Sequence, residues 1–150
     1  RTDFNQDNAK IDAALKAVET KCGLQTIWSH TSASDEEALQ LPCNGIDWTN
    51  WKCVHLVIDP NMAGGGYSID LLQPNGARQP LIDVISGPLH LMAWPMYRGD
   101  RNFCGTYMDQ TWHQFLTERT YDSIYGLRLD LTSSYPFLPG SQFMLYGEQV

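Results

Sequence analysis

The sequence predicts a mainly β protein: an antiparallel, jelly-roll-like β-sandwich preceded by one short N-terminal α-helix. Three observations predict it. Near the C-terminus Tyr125, Leu127, Leu129 and Leu131 alternate with Gly126, Arg128 and Asp130, the period-2 signature of a half-buried strand. After Gly23 short apolar runs are separated by Gly, Pro and Asn, the spacing of a sandwich rather than of alternating βα units. Before Gly23 the apolar residues step instead by three and four. The expected division is residues 1–23 as a helix and 24–150 as one sandwich domain, since 150 residues leave room for one sizeable core.

The helix is bracketed by its ends. Asp3, Asn5 and Asp7 offer N-cap oxygens, and Gly23 offers a stop after Cys22. Between them Phe4, Asn8, Ile11, Leu15, Val18 and Cys22 form a heptad seam interrupted only by Asn8. A helix this short is marginal alone. Ile11, Leu15, Val18 and Cys22 are therefore expected to meet symmetry mates around an axis, with Lys10, Lys16, Lys21, Asp12 and Glu19 as the solvated flank. The alternative is an amphipathic helix packed on its own domain.

The strands follow in order. Leu24 to His30 can form the first. Trp51, Cys53, His55 and Val57 face one way and Val54, Leu56 and Ile58 the other, a run apolar on both faces that ends at Asp59-Pro60. Gly64-Gly65-Gly66 leads into Tyr67, Ile69 and Leu71, which alternate with Ser68 and Asp70. Pro74-Asn75-Gly76 is a turn, Asn-Gly being a favoured hairpin pair. Leu81 to Ile85 and Leu89 to Trp94 follow, and Met108 to Leu116 is expected to supply one more. The end reads as a closing hairpin, Tyr125–Leu131 and Gln142–Gly147 joined by a turn. Six to eight strands are expected in all.

Charge and cysteines exclude several classes. A net charge of -7 repels phosphate backbones, and the ten Lys and Arg form no basic stripe, so no nucleic-acid partner is expected. No apolar run approaches 18 residues, so no membrane insertion is expected, and the start carries no signal-peptide pattern. The chain begins at Arg1 rather than Met, as a processed product, a fragment or the ordered part of something longer would. Cys22, Cys43, Cys53 and Cys104 contain no CxxC pair, which removes a zinc ribbon. Free thiols are expected, Cys22 and Cys53 buried, with a Cys43–Cys53 disulfide as the alternative.

Catalytic patterns are thin, and no catalytic residue, metal or cofactor is expected. His30, His55, His90 and His113 stand at no ligand spacing, and G-x-S-x-G is missing around Ser141. Gly64-Gly65-Gly66 lacks the Lys-Ser/Thr and helix of a phosphate loop. Arg98-Gly99-Asp100, a tripeptide that animal integrins recognise, reads as a polar turn.

Five Trp and seven Tyr are many for this length. Aromatic planes stack on the apolar faces of sugars while Asp and Asn hydrogen-bond the hydroxyls. The segments Asn44–Trp51 and Trp94–Asp100 have that mix, and Trp48 and Tyr97 are the candidate glycan contacts because their loops are polar and rich in turn residues. Filling the core or a subunit interface is the competing role for any one Trp.

Two segments resemble known proteins. Thr2–Lys16, reading TDFNQDNAKIDAALK, looks like a segment that recurs in phage tail-fibre and minor structural proteins before a coiled-coil or globular module. Asp122–Gly147, reading DSIYGLRLDLTSSYPFLPGSQFMLYG, resembles the close of β-sandwich domains in bacteriophage virion proteins. The resemblance implies a non-enzymatic virion protein, a tail-fibre, head-fibre or decoration module, assembled in the host bacterial cytoplasm. It also implies a homotrimer, other virion structural proteins as partners and, as an extension, a bacterial surface glycan. The alternative is a free-standing carbohydrate-binding module of a bacterial secreted protein. A glycan-cleaving enzyme would need two carboxylates in one cleft.

Overall fold

The computed structural model describes residues 23–94, 102–109, 111–120 and 124–150, together with Lys10. Ten strands cover most of that span: β1 (Leu24–Thr31), β2 (Ala38–Pro42), β3 (Trp51–Asp59), β4 (Tyr67–Leu72), β5 (Arg78–Ile85), β6 (Leu89–Trp94), β7 (Asn102–Met108), β8 (Trp112–Thr120), β9 (Gly126–Leu131) and β10 (Gln142–Gln149). They build a six-stranded sheet in the order β1-β10-β3-β6-β7-β8 and a four-stranded sheet in the order β2-β9-β4-β5. Every pairing is antiparallel. The expected helix over 1–23, its interface residues Ile11, Leu15, Val18 and Cys22, the candidate Tyr97 and Arg98-Gly99-Asp100 lie outside the described residues.

The winding becomes plain when β7 and β8 are set aside. The remaining strands pair from the outside inward: β1 with β10, β2 with β9, β3 with β6, β4 with β5. Bonds between β10 and β3 and between β9 and β4 then close the two sheets. One long folded hairpin rolled onto itself has this pairing, which is that of a jelly roll. The β7–β8 hairpin is an addition beyond β6 at one end of the larger sheet.

The alternation seen in the sequence decides which face each strand buries. Val54, Leu56 and Ile58 of β3 and Leu89, Leu91 and Ala93 of β6 point inward, against Ile69 and Leu71 of β4 and Leu127 and Leu129 of β9. All are 2% exposed or less. At about 1.5–3 kcal/mol for each large aliphatic side chain, this burial is the main force holding the sheets together. On the outer side of the small sheet Asp130 receives Arg128 Nε and Arg78 Nη1, both at 2.8 Å. These partly exposed pairs add little stability. Pro74-Asn75-Gly76 turns as expected: Gly76 has φ 81° and the Asn75 side chain accepts from Ala77 N at 3.0 Å.

Four expectations are corrected. Tyr125–Leu131 and Gln142–Gly147 do not form a hairpin, because β9 and β10 belong to different sheets. The connecting segment 132–141 is an arch held by Phe137, fully buried, exchanging both backbone bonds with Glu36 and set edge-on to Phe143 at 5.1 Å. Met108 to Leu116 is not one strand. Asp109 Oδ1 accepts from Thr111 N at 2.9 Å, an Asx turn that reverses the chain between β7 and β8. The described strands number ten rather than six to eight, β2 and β7 being the additions. The Cys43–Cys53 alternative also fails, since Cys43 lies in the core and both thiols are free. Cys53 is buried as expected, at 4% exposure.

Candidate functional site

The stretch from β2 to β3 builds one wall of an open groove. Cys43 N bonds Tyr125 O, and Ile46 N bonds back to Cys43 O at 3.0 Å, so the loop tightens directly after β2. Asp47 then caps a single 3-10 turn, Trp48–Asn50: its Oδ1 accepts from Thr49 N at 3.1 Å and from Thr49 Oγ1 at 2.6 Å. Those two bonds, the side-chain one first, hold the Asp47 carboxyl below the usual carboxylate range.

The short turn has a consequence for Trp48. It rotates the indole inward, where it joins Leu41, Cys43 and Leu127 in the core with 4% of its surface exposed. The candidate glycan contact Trp48 is therefore a core residue, because the 3-10 turn aims it inward while its polar neighbours stay out.

Two other tryptophans take the open position. A groove of about 570 Å³ is lined by Trp28 and Trp51, with Asn44, Asp47 and Asn50 beside them. Both rings are partly exposed and pack one side against the core. Trp28 reaches the groove through a bulge in β1, where the register to β10 shifts between Thr26 and Trp28. Bulges commonly re-aim a side chain in this way. Trp51 lies against Gly147, where any Cβ would collide with the indole ring. Of the two tryptophans in the segment Asn44–Trp51, Trp48 is buried and Trp51 is partly exposed. The period-2 pattern of β3 marks Trp51 as a strand residue, and nothing local reveals that a distant bulge brings Trp28 beside it.

The histidines come together more than their spacing suggests. His55 Nδ1 and His90 Nε2 share a hydrogen bond of 3.0 Å across the β3–β6 pair. Glu148 Oε1 stands 3.7 Å from His55 Nε2, a buried nitrogen without a hydrogen-bond partner. His90 and Glu148 approach opposite nitrogens of one imidazole, so the three cannot share one metal ion in this arrangement. Among the described residues no group of three or more His, Cys, Asp or Glu is placed to hold a metal. Burial, and then the neighbouring His55, lower the His90 pKa.

His30, Ser32 and Glu36 form a second cluster. Both Glu36 oxygens lie at 2.9–3.0 Å from His30 Nε2, and Ser32 Oγ donates to Glu36 at 2.7 Å. The hydroxyl is given to the carboxylate rather than to the imidazole, and Ser32 is 2% exposed. This is a brace between β1 and the following loop, without the hydroxyl-to-histidine bond that would activate a nucleophile.

No protein-family model and no curated protein sequence matches the chain. Among solved structures it is similar to the galectin LEC-6 of Caenorhabditis elegans, at 11% identity over 83% of this chain and 98% of that one, with a TM-score of 0.34. So low a score carries no argument about this chain, and the antiparallel sandwich rests on its own strand pairing.

Proposed function

We propose that this chain is a non-enzymatic structural module of a bacteriophage particle, of fibre or decoration type, that binds a bacterial surface glycan. The groove between Trp28 and Trp51 is the observation that carries the binding half of this reading. Two indole faces supply stacking surface, and the Asn44, Asp47 and Asn50 side chains supply short acceptors and donors for hydroxyls. The virion half is supported by the resemblance of Thr2–Lys16 and Asp122–Gly147 to phage structural proteins. Stacking one ring contributes on the order of 1 kcal/mol beyond area burial, so a single copy binds weakly and several copies on one particle bind well.

A microarray of bacterial surface polysaccharides, probed with wild type, Trp28→Ala and Asn44→Ala, tests the groove. Binding by wild type that both variants lose, with melting temperatures within a few degrees, is the expected result. Retained binding in both variants removes the groove. Mass spectrometry of purified particles tests the virion half separately. A protein that binds glycans yet is missing from particles is the second reading, a carbohydrate-binding module of a bacterial secreted protein, which the same groove would serve.

A further inference from the structure

We infer that the groove between Trp28 and Trp51 takes a cationic glycan, an amino sugar whose nitrogen is free rather than acylated, with Asp47 as its counter-charge. This rests on the glycan reading above and adds to it the charge of the ligand. Among the described residues Asp47 is the one charged side chain that lines the groove, and no Lys, Arg or His stands in its walls. The chain as a whole carries a net charge of -7. An acidic sugar would meet only repulsion there.

The rings add to that field. An indole is negative on its face and attracts an ammonium placed over it. Trp28 and Trp51 are both partly exposed, and Asp47 beside them is exposed. Ile27, Pro42 and Ile46 complete the lining with apolar surface. Low-dielectric walls around one sign of charge concentrate its field. The carboxylate is also held in place, since its Oδ1 accepts from both Thr49 N and Thr49 Oγ1. The same bonds keep Asp47 ionised at neutral pH.

A bare ammonium ion would use only part of this surface. The groove holds about 570 Å³, room for more than one small cation. The amides of Asn44 and Asn50 both donate and accept, as sugar hydroxyls require. An N-acetylated sugar keeps the hydroxyls and the stacking face but brings no charge. The two sugars therefore differ by the ammonium alone. One exposed ion pair and one exposed cation–π contact together favour the free amine by about tenfold.

Titration of the full chain, followed by the indole N–H signals of Trp28 and Trp51 in NMR spectra, tests this with three probes. They are the trisaccharide of β-1,4-linked glucosamine, its N-acetylated counterpart and choline chloride. The free-amine trisaccharide is expected to bind about tenfold more tightly than either of the others, and less tightly as salt rises. Asp47→Asn, whose amide oxygen can still accept from Thr49, is expected to remove most of that preference and leave the N-acetylated sugar's affinity unchanged. Asp83→Asn makes the same change in net charge on β5, at the edge of the smaller sheet opposite β2, and is expected to keep the preference. Equal binding of the two trisaccharides by wild type overturns the inference and leaves the glycan reading standing. Equal loss in the two variants overturns it by making the attraction a property of net charge. Choline binding as tightly as the free-amine trisaccharide makes the groove a site for the ammonium alone and overturns the amino-sugar assignment. Failure of all three probes to shift either indole signal also overturns it, and polysaccharide binding on the microarray that Trp28→Ala abolishes would then show the glycan reading surviving.

Discussion

Trp48 at 4% exposure and Trp112 at 65% are the same residue type with opposite roles. Trp48→Ala empties a volume within the buried core cluster, and a cavity of that kind costs about 3–5 kcal/mol. Trp112→Ala removes a ring that is mostly in water and is expected to change stability by about 0.5 kcal/mol or less. Urea denaturation of the two variants, at concentrations where the chain is a monomer, checks the contrast. Near-equal losses would put Trp112 in the core too. Burial of this sort is invisible in the sequence. A strand alternation locates Val54 or Leu129, whereas Trp48 sits in an irregular loop whose 3-10 turn depends on the Asp47–Thr49 bonds.

His90 supplies a second test at this scale. Its pKa is lowered in the fold, by desolvation first and by His55 second. The folded state therefore favours neutral His90, while in the unfolded chain the group titrates near its ordinary value of about 6.5. The sign follows: His90's contribution is fully present above pH 6.5 and is lost as pH falls from there through the lowered folded value. The groups that face His90 among the described residues include the His55 ring, at 3.0 Å, and beyond it Glu148, 3.7 Å from His55. His90→Gln should flatten the fall in urea midpoint between pH 7.5 and pH 5 relative to wild type. A steeper fall in the variant would reverse the sign assigned to His90.

Among the elements, the β7–β8 hairpin depends on one close approach. Gly105 lies opposite Ala93 of β6 and Phe115 of β8. A Cβ there would stand 2.8 Å from Ala93 Cα and closer still to the Met92 carbonyl oxygen. Backbone atoms cannot swing aside as a side chain can, so Gly105→Ala pries β7 off β6. Hydrogen exchange is expected to show lost protection across β7 and β8, with β3 and β10 still protected. Loss of protection throughout would mean that the hairpin is integral to the sandwich. This hairpin was also the least legible part of the fold. The alternating strands β4, β6 and β9 and the doubly apolar β3 were readable from sequence, as was the Asn75-Gly76 turn. β7 hides because Gly105 and Thr106 interrupt its apolar pattern. β2 hides because Pro42 and three preceding acids look like a loop, and its place is set by pairing with β9 far along the chain.

At the scale of the whole molecule, the nested pairing ties the two ends of the chain together. β10 lies between β1 and β3, bonding β1 from Leu24↔Glu148 to Thr31↔Gln142 and β3 from Asp59↔Gln142 to Trp51↔Gln149. It also sends Phe143 and Leu145 into the core, both 2% exposed or less. Without β10 the β1 strand has no partner among the described strands, β3 loses one of its two neighbours, and Phe137 loses the ring it meets edge-on. Removing Phe143 and Leu145 alone costs about 5–10 kcal/mol by the usual large-to-small scale, comparable with the entire stability of a domain this size. A chain ending at Pro139 is therefore expected not to fold, with no cooperative thermal transition and a random-coil circular dichroism spectrum. Adding residues 140–150 back as a separate peptide should restore protease resistance, because the missing strand needs only its two neighbours and no covalent link to fill the gap. A truncated chain that melts cooperatively on its own would show that the winding is not closed by its last strand, and the nested pairing would then be an incomplete account of what holds this sandwich together.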